Sequence, residues 1–416
     1  ALSLVFSVNF TSCLGDLDVT PIDPNLNVEF DQNANFAKIY AGLAITGNKG
    51  PDGQGDIADT DEGASGLMRM LFNLNELPTD EAICAWSGDV DVYPLNFAKF
   101  TASNGVVLNM FNRLYIQIAQ CNNFLIQTEG KDDEESLTQR AEVRFIRALD
   151  YYYLIDLYGN VPFVDENTGI GTYVPERITR ANLYTYIEKE LKEIEPQMKA
   201  PRANVYGRAD QAAIWMLLSR LYLNAEVYTG DPQWNACIQE CDDIINSGKY
   251  SLDINYSDPF KAHNENSLEN ILVIPYDEIF ATGFNYHLAA LHGANQKTYD
   301  LVGSPWGAGA YKGIPQFIDT YDPDDERLNA TWLGGPQYAS DGTPLTGSYD
   351  LMGQPLIFVN KMPNGIFTGE AEGYRWLKYE VELEARSELN NDLVLFRLTQ
   401  VHMMKAECLL RTGKAD

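Results

Sequence analysis

The chain has 416 residues, 59 of them acidic and 30 basic, for a formal charge of −29. That balance excludes nucleic acid and anionic membrane surface as partners, because neutralising phosphates needs clustered Lys and Arg. Hydrophobic residues at 45% supply ample core, and the length suits two ordinary domains or one large repeat-based domain with long insertions.

Residues 1–12 are apolar and end in Thr11-Ser12 before Cys13, which reads as the tail of a secretory signal peptide with Cys13 as the acylated residue of a lipoprotein. Residues 13–31 are polar and extended, a tether. No other stretch is long and apolar enough to span a bilayer, so attachment would run through lipid at Cys13. The remaining cysteines form no disulfide framework: Cys237 and Cys241 sit one helical turn apart and read as core filling, and Cys84, Cys121 and Cys408 are scattered. The four histidines show no zinc-ligand spacing.

The Gly- and Asp-rich run 47–66 is a loop by its turn chemistry, and counting twelve positions from Asp52 or Asp56 places Gly63 or Leu67 where a calcium loop needs Glu. A solvated acidic loop is the reading, as turn and helix capping is for Asp322-Pro323-Asp324-Asp325-Glu326-Arg327. Helical signal follows over 67–75 and 104–128. Next comes an aromatic-rich helix in which Leu137, Ala141, Phe145, Ala148, Tyr152 and Ile155 line one face. Ser136 and Gln139 form its capping box, Gly159 takes the left-handed stop and Pro162 blocks continuation. A second such helix spans 207–228, with Trp215, Leu218, Tyr222 and Ala225 on one face and a stop at Thr229-Gly230; a third runs from Leu398 to Gly413. Amphipathic partners lie at 182–198 and 234–247. The spacing predicts stacked tetratricopeptide-like hairpins, over about 104–250 and 394–416. Between about 251 and 393 short apolar runs, 271–274 and 356–359, punctuate Gly, Pro, Asn and Asp; an insertion of that size in a repeat scaffold is usually functional. The last helix lacks a partner, which places the natural C-terminus beyond Asp416.

These residues carry a resemblance. The segment 14–24 after Cys13, Asp61-Glu62-Gly63-Ala64-Ser65-Gly66, Asn75-Glu76-Leu77-Pro78-Thr79-Asp80-Glu81 followed by Trp86, the run 140–162, Arg208-Ala209-Asp210 with its helix to Gly230, and 396–413 all resemble the SusD/RagB family. The likeness covers nearly the whole chain and is loosest over 251–393. It implies one domain over 32–416, mainly α, with tetratricopeptide-like hairpins packed against a loop-rich ligand-binding half carrying a few short strands. It also implies a surface-exposed outer-membrane lipoprotein that passes nutrient oligomers to a TonB-dependent, SusC-like transporter, without catalysis. The family's starch-binding members hold helical α-glucan on an aromatic arc, whose positions fall on Trp86, Tyr286 and Trp306, with polar neighbours at Arg69 and Asp89. Tyr299 and Tyr311 are alternatives to Tyr286. Two departures change the edge of the arc: Asp89 replaces an amide and Cys84 replaces a further tryptophan.

Read without the family, Trp86 sits in a loop with no helical periodicity to bury it, and Trp306 is held in a turn between Pro305 and Gly307. Sugar C–H faces pack on aromatic rings while hydroxyls take nearby donors and acceptors such as Arg69 and Asp89. Trp215 and Tyr151–Tyr153 lie on amphipathic helices and belong to packing, as does Trp234. Nucleophile-elbow, His-Glu-x-x-His and phosphate-loop motifs are missing, and no metal or cofactor is expected. The reading is a glycan-binding module for starch or malto-oligosaccharide. The alternatives are another glycan or a peptide in the same role, or a helical-repeat scaffold for a protein partner.

Overall fold

The computed structural model describes residues 30–47, 55–58, 65–168 and 174–414. The expected leader, Cys13, the tether up to residue 29 and much of the acidic loop lie outside them.

The described chain is mainly helical. Helix α1 (Gln32–Ala44) opens at Asp31, whose carboxylate accepts from the Ala34 N–H at 2.9 Å. Helix α2 (Leu67–Asn75) is short and largely buried. Beyond strand β1 (Ala82–Cys84), helix α3 (Gly105–Gln127) is capped by Asn104, whose side chain accepts from Val106 and Val107 N–H groups. Helix α4 (Glu134–Leu157) is the central element and buries polar Glu142, Arg147 and Asp150 along with Tyr151, Tyr152 and Tyr153. Its cap is Asp133, which accepts from the Ser136 N–H at 2.9 Å. The expected Ser136–Gln139 box does not form, because both side chains turn to the Gln32 amide (3.1 and 2.8 Å) and tie α4 to α1. Gly159 takes its left-handed stop at φ +76°.

Strands β2 (Val161–Pro162) and β3 (Arg177–Ile178) pair and lead into α5 (Arg180–Ile194). The helix expected without a break over 207–228 is two: α6 (Gln211–Leu223) and α7 (Ala225–Thr229), separated at Asn224 (φ −99°, ψ 11°). Its start is also later than expected, since Asp210 caps it from an extended conformation. Helix α8 (Trp234–Asn246) follows. Helices α3, α4 and α5 pack in succession, and α6 packs on α8, so the expected hairpins form. Trp215 and Trp234 are half-buried on them, with Trp215 Nε1 donating to Glu195 at 2.8 Å.

Buried charge cements the repeats. Glu142, fully buried, accepts from the Tyr40 hydroxyl at 2.6 Å and from Arg208 Nε and Nη2 at 2.9 and 2.6 Å, joining α1, α4 and the approach to α6. Glu190 on α5 receives both Arg144 and Arg147 of α4. Removing one partner of such a pair strands the other, a loss of about 3–5 kcal/mol.

The irregular half contains β4 (Asn270–Ile274), α9 (Tyr286–Ala290), β5 (Tyr311–Gly313), α10 (Pro315–Ile318), α11 (Glu326–Thr331), β6 (Trp332–Leu333), β7 (Gly335–Pro336), β8 (Ile357–Phe358), β9 (Arg375–Trp376) and β10 (Leu393–Arg397), which runs into α12 (Leu398–Arg411). The run 271–274 is β4 as expected, paired with β10; the run 356–359 contracts to the two residues of β8. An antiparallel sheet of order β1-β5-β9-β6 joins the start of the chain to this half. Helix α12 packs on α8 and also touches α6, extending the helical stack.

His287 on α9 is 2% exposed, neither ring nitrogen has a hydrogen-bond partner among the described residues, and burial pushes its imidazole down to about 3. Between the usual histidine value of about 6.5 and that lower limit, only the unfolded chain takes up the proton. Stability from this residue is therefore intact above pH ~6.5 and falls on acidification by up to about 1.4 kcal/mol per pH unit. Urea unfolding at pH 6.5 and 4.5 is expected to show a smaller acid loss in His287→Leu than in wild type; parallel losses would refute this assignment.

Candidate functional site

The site is assembled by the β1–β5 pairing. Ala82, Ile83 and Cys84 face Gly313, Lys312 and Tyr311, and the ladder continues with the Ala85 N–H on the Ala310 carbonyl at 2.9 Å. This register carries Trp86, just past β1, to the turn that precedes β5. The other edge of β1 is closed by Asn96, whose side chain accepts from the Cys84 N–H at 2.9 Å and donates to the Cys84 carbonyl at 2.8 Å. Cys84 itself is fully buried, and burial pushes its thiol up to about 12, so it serves as core.

Trp306 stands in a tight turn. Its N–H donates to the Leu288 carbonyl at 2.7 Å, Gly307 adopts φ +65°, and the Gly307 carbonyl accepts from Gly293 at 2.8 Å. Only glycine takes that conformation without strain. The two indoles are both half-buried, with centroids 6.0 Å apart and planes tilted by 43°. Arg69, from the first turn of α2, places its guanidinium 5.8 Å from the Trp86 ring and 5.3 Å from the Trp306 ring. Each contact is within cation–π range. Three segments far apart in sequence thus meet at one surface, with Arg69 only 9% exposed beneath the rings.

Asp89 closes the Trp86 loop. Its N–H donates to the Trp86 carbonyl at 3.0 Å, and its Oδ1 accepts from Asp91 and Val92 N–H groups at 3.0 and 2.8 Å. The next carboxylate, Asp91, accepts from the Gly105 N–H at 2.7 Å and so fixes the loop to the start of α3. Behind the indoles, Tyr311 lies 6.2 Å from Trp86 and donates its hydroxyl to Asn73 of α2 at 2.8 Å.

Tyr286 does not join this surface. It is 7% exposed, rings of Phe72, Phe284 and Trp376 surround it at 5.5, 5.7 and 4.8 Å, and its hydroxyl donates to the Met68 carbonyl at 2.7 Å. The contacts Trp86–Tyr311–Phe72–Tyr286 run inward from the indoles to the core. Of the residues weighed from sequence, the structure brings together Trp86, Trp306 and Arg69, with Asp89 in the supporting turn. Tyr299 is half-buried, with burial pushing its phenol up to about 12, and Tyr311 is fully buried. Asn96 and Asn73 were not foreseen; a lone Asn in a short turn or helix carries no signal that its amide will pair with a distant strand.

Chemically the surface is a shallow aromatic platform. A separate cavity of about 330 Å³, bounded by Phe72, Tyr286, Trp376, Lys378, Tyr379 and Arg397 among others, touches neither indole. Tilted apolar rings with an adjacent guanidinium and carboxylate suit a ligand with C–H faces and hydroxyls.

Residues 17–223 match the model of a SusD-like family described as starch-binding and associating with the outer membrane. The chain is 45% identical over 276 residues to the starch-binding protein SusD of Bacteroides thetaiotaomicron, covering 66% of this chain and 49% of that one. It is 24% identical over 345 residues to SusD-like protein P25 of Formosa agariphila, covering 76% and 61%. The chain thus spans about half to three-fifths of the length of these relatives. Among solved structures, surface glycan-binding protein A of Bacteroides thetaiotaomicron in complex with laminarihexaose superimposes with a TM-score of 0.67 at 18% identity, over 91% of this chain and 78% of that one. A laminarin-binding SusD-like protein gives 0.66 at 16%, over 92% and 80%.

The placements separate platform from core. Tyr286→Ala is expected to cost about 3–5 kcal/mol, as for large aromatic truncations in a packed interior. Trp306→Ala, at a half-buried ring, is expected to cost less than Tyr286→Ala. Chemical denaturation of both variants checks the order, and equal losses would contradict it.

Proposed function

Because the chain belongs to the SusD-like family, we propose that it is a cell-surface glycan-binding protein that captures starch or malto-oligosaccharide for import through a partner TonB-dependent outer-membrane transporter, anchored by lipid at Cys13. The observation that supports it most is the Trp86–Trp306 pair, two half-buried indoles whose planes meet at 43°. Successive residues of an α-glucan turn steadily, so their C–H faces present a curved surface. Two tilted rings follow such a curve better than one flat face. Sugar hydroxyls at the rim take hydrogen bonds from Arg69, already fixed between the rings, and from the Asp89 carboxylate. Tyr286 supports the platform from the core and leaves contact with the sugar to the indoles.

The role is binding without catalysis. Glycoside hydrolysis needs two carboxyl groups flanking the scissile bond; the platform residues bring one, Asp89, with one oxygen engaged by two backbone N–H groups. The meeting of two half-buried rings from distant segments, with a guanidinium within reach of both, favours a ligand platform over a helical scaffold. The similarity to the Bacteroides starch-binding relative favours α-glucan among glycans.

Native gels containing amylopectin test the assignment. Wild type is expected to be retarded, and Trp86→Ala to lose affinity by about tenfold or more, the equivalent of losing roughly 1.5 kcal/mol of aromatic contact. A folded wild type that migrates unretarded would end the starch assignment. Retardation by laminarin instead would redirect it to β-glucan.

A further inference from the structure

A third aromatic residue stands beside the turn that carries Trp306. Tyr349 is 55% exposed, and its hydroxyl lies 3.9 Å from where a Cβ on Gly307, the neighbour of Trp306 in the turn, would sit. One edge of the tyrosine is steadied by His292, with ring centroids 5.8 Å apart and planes at 77°.

The anchoring beneath it distinguishes this residue from an incidental surface tyrosine. Glu370, 2% exposed, accepts from the Ser348 N–H at 2.8 Å, from the Tyr349 N–H at 3.1 and 3.2 Å through its two oxygens, and from the Leu351 N–H. His292 completes the set: its Nδ1 accepts from the Ala294 N–H at 3.0 Å, so Nε2 carries the proton and donates to Glu370 at 2.9 Å. Burial alone would raise the Glu370 carboxyl, but the backbone donors and His292 outweigh it and hold it below the usual range. Asp350 answers in the opposite direction, its Oδ1 accepting from the Glu370 N–H at 3.0 Å. The fit leaves no room for side chains at the two glycines involved. A Cβ on Gly347 would lie 2.6 Å from Glu370 Oε1, and one on Gly369 would lie 2.5 Å from Asp350 Oδ2. The loop 347–351 is therefore wound around a buried carboxylate, and it presents an exposed tyrosine next to the turn at Gly307 that follows Trp306. An exposed tip held this firmly has its ordering entropy already removed, the condition under which a contact adds most to affinity.

Building on the glycan reading above, we propose that Tyr349 forms an additional sugar subsite flanking Trp306, so that the platform is a row of Trp86, Trp306 and Tyr349. Its ligand is the same neutral glucan chain, gripped at units beyond those that cover the indoles. Tyr349 then sets preference for chain length: short oligosaccharides fill the indole pair alone, and longer ones also stack on the tyrosine.

Isothermal titration calorimetry with maltotriose and maltoheptaose on wild type, Tyr349→Ala, Tyr349→Phe and Trp86→Ala tests this. Tyr349→Ala is expected to weaken maltoheptaose about five- to tenfold while changing maltotriose by less than about twofold, as loss of one stacked ring implies. Tyr349→Phe should keep most of the heptaose affinity, and thermal melting should be unchanged. Unaltered heptaose binding in Tyr349→Ala, with Trp86→Ala impaired, would overturn the subsite and leave the indole platform standing. An equal loss for both sugars would also overturn it, since the loop would then be acting on the indoles. Wild type binding neither sugar would overturn the subsite and the α-glucan reading together.

Discussion

The antiparallel pairing of β1 with β5 is the constraint on which the platform depends. Three residues early in the chain meet three residues from deep in the irregular half, in a register that sets Cys84 against Tyr311. Because side chains alternate across a strand, a slip of one residue would turn Tyr311 away from Asn73 and Phe72 and uncouple the indoles. The pairing is short and draws help from its surroundings. Asn96 closes the outer edge of β1, and α2 wedges Arg69, Phe72 and Asn73 against the inner side. The helical repeats provide the stiff wall against which this closure is made, with Glu142 and Glu190 locking neighbouring helices by their arginines.

Helices were legible in the sequence wherever an apolar face recurred at helical spacing, as along Ala141, Phe145, Ala148 and Tyr152, and the ends at Gly159 and Gly230 were legible because only glycine favours the left-handed stop. Local competition was less visible. Asp133 caps α4 in place of Ser136, because the Ser136 hydroxyl has a partner elsewhere, the Gln32 amide, and the break at Asn224 in the helix over 207–228 has no marker in the apolar spacing. In the irregular half, resemblance and turn chemistry singled out Trp86 and Trp306, but an aromatic residue in a loop gives no periodicity from which to read its burial. Tyr286, with its hydroxyl on the Met68 carbonyl, and Tyr349, on a loop wound around Glu370, have sequence settings that do not tell them apart.

Charge follows the same division. The net charge is −29, and within the interior charges are placed one by one, carboxylates such as Glu142 and Glu190 beside arginines. Arg147 joins Asn122, Glu166 and Glu190, and Arg375 lies over Phe358 and donates to backbone carbonyls. Arg69 belongs to that interior set by burial, yet it opens onto the platform between two rings. A buried cation of this kind has a fixed direction and little freedom to reach elsewhere, which suits it to define orientation more than to supply raw attraction.

The 43° tilt between the indoles has a consequence for whatever lies across them. The backbone of both residues is held by hydrogen bonds and the guanidinium lies within reach of both rings, so the angle belongs to the protein. On the proposed glycan reading, such a surface would act as a gauge of curvature: a chain already coiled to the right radius would settle on it at little conformational expense, and a straight or limp one would have to bend first. Discrimination between polymers built from the same sugar would then rest on their shape in solution, with no need for a hydrogen bond that reads the linkage itself.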